Sequence, residues 1–294
     1  MLKHKKPTTN ASPISSDKLD FKFSELNSKE LQTIVETLNS EQSISTLDLW
    51  GCHISRDRLR SLLSALGKYR KLEVLDLGDN YLADDGCSIV CNFAKTAMIT
   101  TLILDGNSLT DTVGAMLAEV LTTNPILRTL SLRNNGLGNT SAVHLANALR
   151  KNRTLKTLNL YHNAIGGQGA RALCAMLQTN RCLISLDLRC NAVPTHSLLE
   201  AIQQLCLCNQ RGLDPYSSTV TDKSATGTST TTIRTIARAG LASASLFSLK
   251  HDDTERTDVE DNVSYSYKPL LQRISDQIDA TSNDDSDEGM HICI

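Results

Sequence analysis

The sequence predicts an α/β fold, a curved solenoid with parallel strands on its concave side and helices on its convex side. Two observations predict it: one apolar template recurs in phase along most of the chain, and an apolar helical stripe follows each copy. A third marks its limit, because the pattern stops near Cys208.

The template is L-x-x-L-x-L-x-x-N-x-L. It reads LEVLDLGDNYL from Leu72, ITTLILDGNSL from Ile99, LRTLSLRNNGL from Leu127, LKTLNLYHNAI from Leu155 and LISLDLRCNAV from Leu183. A sixth copy, ISTLDLWGCHI from Ile44, has Cys52 at the Asn position. Successive copies start 28, 27, 28, 28 and 28 residues apart. One step further back, Leu19, Phe21 and Leu26 fall on apolar positions of a degenerate copy, as a capping repeat would have them.

The L-x-L core reads as a short strand whose alternate side chains point inward, such as Leu75 and Leu77. Asn80, Asn107, Asn135, Asn163 and Asn191 sit where the chain leaves each strand. Their amides are expected to bond the backbone of their own loop and of the next coil, with Cys52 as a weaker stand-in. The helices follow. Leu62 and Leu66, Leu117 and Leu121, Leu145 and Leu149, and Leu173 and Leu177 each form an i, i+4 stripe. Val90 and Ala94 replace the leucines in the repeat that is one residue short. Asn124, Asn152 and Asn180 are expected to end their helices in left-handed turns. Gly86 and Gly169 open theirs where close packing favours a missing side chain. A strand and a helix cannot bury their own apolar face, but a stack of such units can.

These residues resemble the ribonuclease-inhibitor-like class of leucine-rich repeats over residues 16–208. Ran GTPase-activating proteins and the sensor arms of NOD-like receptors belong to that class. The resemblance implies a horseshoe arc that binds proteins. It also raises two alternatives, a GTPase activator for a small GTPase and an actin-filament binder similar to the tropomodulins. The chain departs from the family in three ways. It keeps one repeat type rather than alternating two, has no G-x-x-x-x-G-K-[ST] segment, and is short beside the Ran activators. The expected organisation is a disordered basic N-terminus (1–15), the leucine-rich-repeat domain (16–208) and a tail (209–294).

A partner is expected on the concave face, where side chains flank the inward leucines. One column reads Asp48, Asp76, Ile103, Ser131, Asn159 and Asp187. The next reads Trp50, Gly78, Asp105, Arg133, Tyr161 and Arg189, and a third Gly51, Asp79, Gly106, Asn134, His162 and Cys190. These positions are taken as free to vary. The face is acidic in its first half and basic and aromatic in its second. The candidate partner-binding residues are Trp50, Asp76, Asp79, Asp105, Arg133, Tyr161, His162 and Arg189, with Trp, Tyr and Arg as anchors. The plainer alternative makes them ordinary solvated positions, with Trp50 packed under the N-terminal cap.

The formal net charge is -2 and calls for no nucleic-acid partner. It is uneven: from His251 onward 12 acidic residues face 3 basic ones. Nine cysteines, an odd number scattered over small buried positions, point to reduced thiols in a cytoplasmic protein. Cys206-x-Cys208 and Cys87-xxx-Cys91 are too sparse for a zinc site. No signal peptide, membrane span or lipidation motif is read. The tail opens with a Ser/Thr-rich linker, has apolar islands at 233–249 and 268–279, and ends in HICI, a weak match to PDZ ligands. No catalytic motif occurs and no histidine has a partner that the sequence can place beside it, so neither an enzyme nor a cofactor or small-molecule substrate is expected.

Overall fold

The computed structural model describes residues 14–15, 17–41 and 43–215. The tail's linker, its islands, the HICI end and nearly all of the basic N-terminus lie outside the described residues.

The chain alternates strand and helix. A hairpin of β1 (Ile14–Ser15) and β2 (Lys18–Asp20) leads into α1 (Ser28–Ser40). Then follow β3 (Thr46–Asp48), α2 (Arg56–Leu66), β4 (Val74–Asp76), α3 (Ala83–Ala94), β5 (Thr101–Ile103) and α4 (Gly114–Thr123). The stack continues with β6 (Thr129–Ser131), α5 (Asn139–Leu149), β7 (Thr157–Asn159), α6 (Gly167–Leu177), β8 (Ser185–Asp187) and α7 (His196–Arg211). Among the described residues the strands form one sheet in sequence order, parallel from β2 onward. Register follows the template, so Leu47, Leu75, Leu102, Leu130, Leu158 and Leu186 stand side by side.

The core lies between sheet and helices. The inward strand leucines and the helix stripes are buried, Val90 and Ala94 included. Leu19, Phe21 and Leu26 close the first coil. At the other end α7 runs past Cys208 to Arg211 and stops at Gly212, whose φ of 65° gives the left-handed cap.

Polar ladders run along this core. Asn80 Nδ2 donates to Leu49 O at 2.8 Å and to Leu77 O at 3.0 Å, while its Oδ1 accepts from Ile54 N. Asn107, Asn135, Asn163 and Asn191 repeat the pattern. The ladder reaches back to the preceding coil, not forward to the next as the sequence reading had it. Cys52 keeps the rule, its Sγ lying 3.0 Å from Phe21 O.

The expectation for Asn124, Asn152 and Asn180 is corrected. Asn124 is extended (φ -78°, ψ 118°), and none of the three has a positive φ. They form a second ladder on the return side. Asn152 Nδ2 donates to Leu121 O of the coil before, and its Oδ1 accepts from Thr154 N and Leu155 N. The amide finds better partners across coils than a left-handed turn would offer.

Helix starts are also capped across coils. Gly138 and Gly166 at the N-caps of α5 and α6 have no side chain to offer. Asp111 accepts from Gly138 N, Thr140 N and Ser141 N at 2.9, 3.1 and 2.7 Å. Asn139 does the same for Gly166 N and Gly169 N. Close approach explains Gly169, where an added Cβ would lie 2.7 Å from the Ala142 Cβ.

Candidate functional site

Strand alternation turns three columns toward the concave side. The first, which sequence reasoning left out, is the leading strand position: Thr46, Val74, Thr101, Thr129 and Thr157 are half-buried there, and Ser185 is exposed. The second and third are the Asp48 and Trp50 columns. A fourth column, Gly51, Asp79, Gly106, Asn134, His162 and Cys190, is left-handed throughout, with φ between 51° and 67°. These positions are therefore not free to vary: β-branched residues would be strained there.

The acidic half is largely inward-bonded. Asp48 is buried, with Lys18 Nζ at 2.9 Å and Lys22 Nζ at 3.0 Å. Asp76 is buried, and its Oδ1 accepts from Gly78 N at 2.9 Å. Burial pushes its carboxyl up to about 6, and the charges of Asp48 and Asp105 on neighbouring coils add to this against the Gly78 bond. Asp105 Oδ1 accepts from Ser131 Oγ at 2.6 Å and Arg133 N at 2.9 Å, and burial raises its pKa too. Asp79 is half-buried. Carboxylates one coil apart thus feel each other.

The second half presents charge outward. The guanidiniums of Arg133 and Arg189 lie 5.5 and 5.7 Å from the centroid of the Tyr161 ring. Arg189 is also bidentate on Asp187, with Nε–Oδ1 at 3.0 Å and Nη2–Oδ2 at 2.7 Å. Burial opposes ionisation of Asp187, but Arg189 outweighs it and holds the carboxyl below its usual range. His162 Nδ1 is 2.7 Å from Asn134 Oδ1, and both side chains are exposed.

Aromatic side chains cross the first coils. Trp50 lies over Gly78, leaving no space for a Cβ. Phe23 lies over Gly51 in the same way and is 63% exposed. His53 and Tyr81 stack with centroids 5.5 Å apart, and Tyr81 is also 63% exposed. Phe23, His53 and Tyr81 were missed because they fall on template positions that read as loop. The signal was there, since Gly51 and Gly78 each lie one coil beyond an aromatic.

Among the described residues no group of three or more His, Cys, Asp or Glu could hold a metal ion. Burial pushes Cys52 and Cys174 up to about 11 and Cys206 up to about 12, so these thiols stay protonated. One histidine does have a carboxylate beside it: His196 Nε2 is 3.2 Å from Glu200 Oε1 on α7. Both are well exposed. Two hollows lie between helix-return loops, one around Tyr69 and Met98 and one around Pro125 and Arg153.

The sequence model described as "Leucine Rich repeat" matches residues 70–91, 123–146 and 151–174. The protein is a leucine-rich-repeat solenoid. No curated protein matches the solenoid chain in sequence. Among solved structures it is similar to "Leiomodin-1 Actin-Binding Site 2 (ABS2)", at 15% identity and a TM-score of 0.39, covering 62% of this chain and 92% of that one. It is similar to the tropomodulin C-terminal domain of Caenorhabditis elegans, at 13% identity and a TM-score of 0.41, covering 62% and 95%. An internalin of Listeria monocytogenes matches at 15% identity and a TM-score of 0.32, covering 57% and 54%. No helix among the described residues is long and apolar enough to cross a membrane.

Proposed function

We propose that this solenoid is a non-catalytic scaffold that holds a protein partner on its concave face. The observation that carries the reading is the Arg133–Tyr161–Arg189 stack, two exposed arginines on a half-buried tyrosine, residue types that dominate interface energies. Trp50 and His162 extend the same face. Asp76 and Asp105 are proposed to support it from below, because both are buried and bonded to backbone or neighbouring side chains. The period, the ladder Asn and the full helix in each coil support a place in the ribonuclease-inhibitor-like class. Eight free thiols among the described residues fit the cytoplasm. Nothing in the geometry of this face favours the two alternatives, GTPase activation and actin binding.

The test is affinity capture from lysate with the full chain, comparing wild type with Arg133→Ala/Tyr161→Ala, after circular dichroism shows equal folding. A convex variant, Arg171→Ala, is the control. A protein retained by wild type and the control but lost by the double variant is the expected result. Equal capture by all three removes the concave-face reading.

A further inference from the structure

We propose that the segment held on this face is an acidic peptide, whose two carboxylates engage Arg133 and Arg189 on either side of the Tyr161 ring. The inference rests on the concave-face reading and names the chemistry of its partner.

Register fixes the spacing. Ser131, Asn159 and Asp187 are in line on β6, β7 and β8, so Arg133, Tyr161 and Arg189 follow on three successive coils. Parallel strands are about 4.8 Å apart, which puts the two arginine backbones about 10 Å apart. Tyr161 lies between them and carries one guanidinium toward each flanking coil.

Charge points the same way. In the concave columns of the β6, β7 and β8 coils Arg133 and Arg189 are exposed, and Asp187 is the one acid. Among the described residues the Arg133 guanidinium makes no ion pair, although Asp105, which accepts its backbone N–H, feels its charge. Arg189 keeps donors beyond those on Asp187. Each guanidinium fork can therefore take a carboxylate. A nucleic acid fits less well, because guanidiniums from both flanking coils already lie over the Tyr161 ring on which a base would stack.

The spacing selects a register in the partner. On a helix, carboxylates seven residues apart are about 10.5 Å apart and share a face, whereas carboxylates three apart are separated by about 4.5 Å along the axis.

The experiment is NMR titration of the full chain, reading the arginine Nε–H signals. The probes are an Ala-rich helical peptide with two Glu seven apart, its Glu→Gln counterpart, a version with two Glu three apart, and a short single-stranded oligonucleotide. The seven-apart peptide should shift the Arg133 and Arg189 signals saturably, at least fivefold tighter than the Gln peptide and tighter than the three-apart one. Arg133→Gln and Arg189→Gln should each weaken it at least fivefold, and the convex control Arg171→Ala should not. Equal binding of the Gln peptide, an unchanged affinity in both arginine variants, or tighter binding of the oligonucleotide would overturn the proposal. If the acidic peptide fails while lysate capture still depends on Arg133 and Tyr161, the partner chemistry is wrong and the face is right.

Discussion

Asp76 shows how a residue read as surface acts as part of the frame. Its folded pKa of about 6 lies above the ordinary value of 3.8, so the folded state keeps a proton that the unfolded chain has released. Stability therefore falls as pH rises from about 4 to about 6 and stays at its lower level above that. Asparagine would keep an oxygen for the Gly78 N–H and carry no charge beside Asp48 and Asp105. Asp76→Asn is expected to raise stability by about 1–2 kcal/mol at neutral pH and to match wild type near pH 4, as read by urea melts. A loss at both pH values would mean the carboxylate makes a contact that the amide cannot. Gly78 gives a second prediction at this scale. A methyl there meets the Trp50 ring, the single Trp of the chain, so Gly78→Ala must displace it. The expected outcome is a red-shifted Trp emission and a cost of about 1–3 kcal/mol. Unchanged emission would show that Trp50 is not held on this glycine.

At the scale of elements, the starts of α5 and α6 depend on the coil before them. Burial raises the pKa of Asp111, but the N–H of Ser141 and its neighbours outweigh it and hold the carboxyl down to about 2. Its contribution is complete above about pH 4 and is lost as pH falls through about 2. Asp111→Ala should destabilise by about 1–2 kcal/mol near neutral pH, as N-cap losses do, with faster amide exchange at Thr140 and Ser141. Exchange confined to other helices would contradict a cap supplied across coils. This also explains what the sequence could and could not tell. Apolar period and strand register were legible because each copy repeats them locally. The return-side role of Asn124 was not, because its partners Ala94 O and Ala97 O come from the previous coil. The left-handed column ending at Cys190 was hidden for a related reason. Gly51 and Gly106 hint at it, but Asp79 and His162 tolerate that backbone without announcing it. On the concave face, sequence placed Arg133, Tyr161 and Arg189 in one column and could not separate them from acids turned inward, since exposure depends on stacking.

For the whole molecule, the stack is close to one-dimensional, each strand pairing only with its sequence neighbours. Cooperativity must then pass through every coil in turn. Asn107 is a central link, fully buried, donating to Leu77 O and Asp105 O and accepting from Asn80 N and Leu82 N. Asn107→Ala leaves those buried groups unpaired, at about 1–3 kcal/mol for each one that water cannot reach. The damage is local to the junction between the β4 and β5 coils, so the two halves should uncouple rather than weaken together. Trp50 reports only on the first half, whereas far-ultraviolet circular dichroism reports on every helix. In wild type the two signals should follow one urea transition. In Asn107→Ala the Trp50 transition should move to lower urea ahead of the dichroism, because the first half loses its support while the coils of β6 to β8 keep their own ladder bonds at Asn163 and Asn191. Coincident curves in the variant would mean that the halves are coupled by something other than the Asn ladder, and the helix-to-helix packing of α3 on α4 would then be the contact to weaken next.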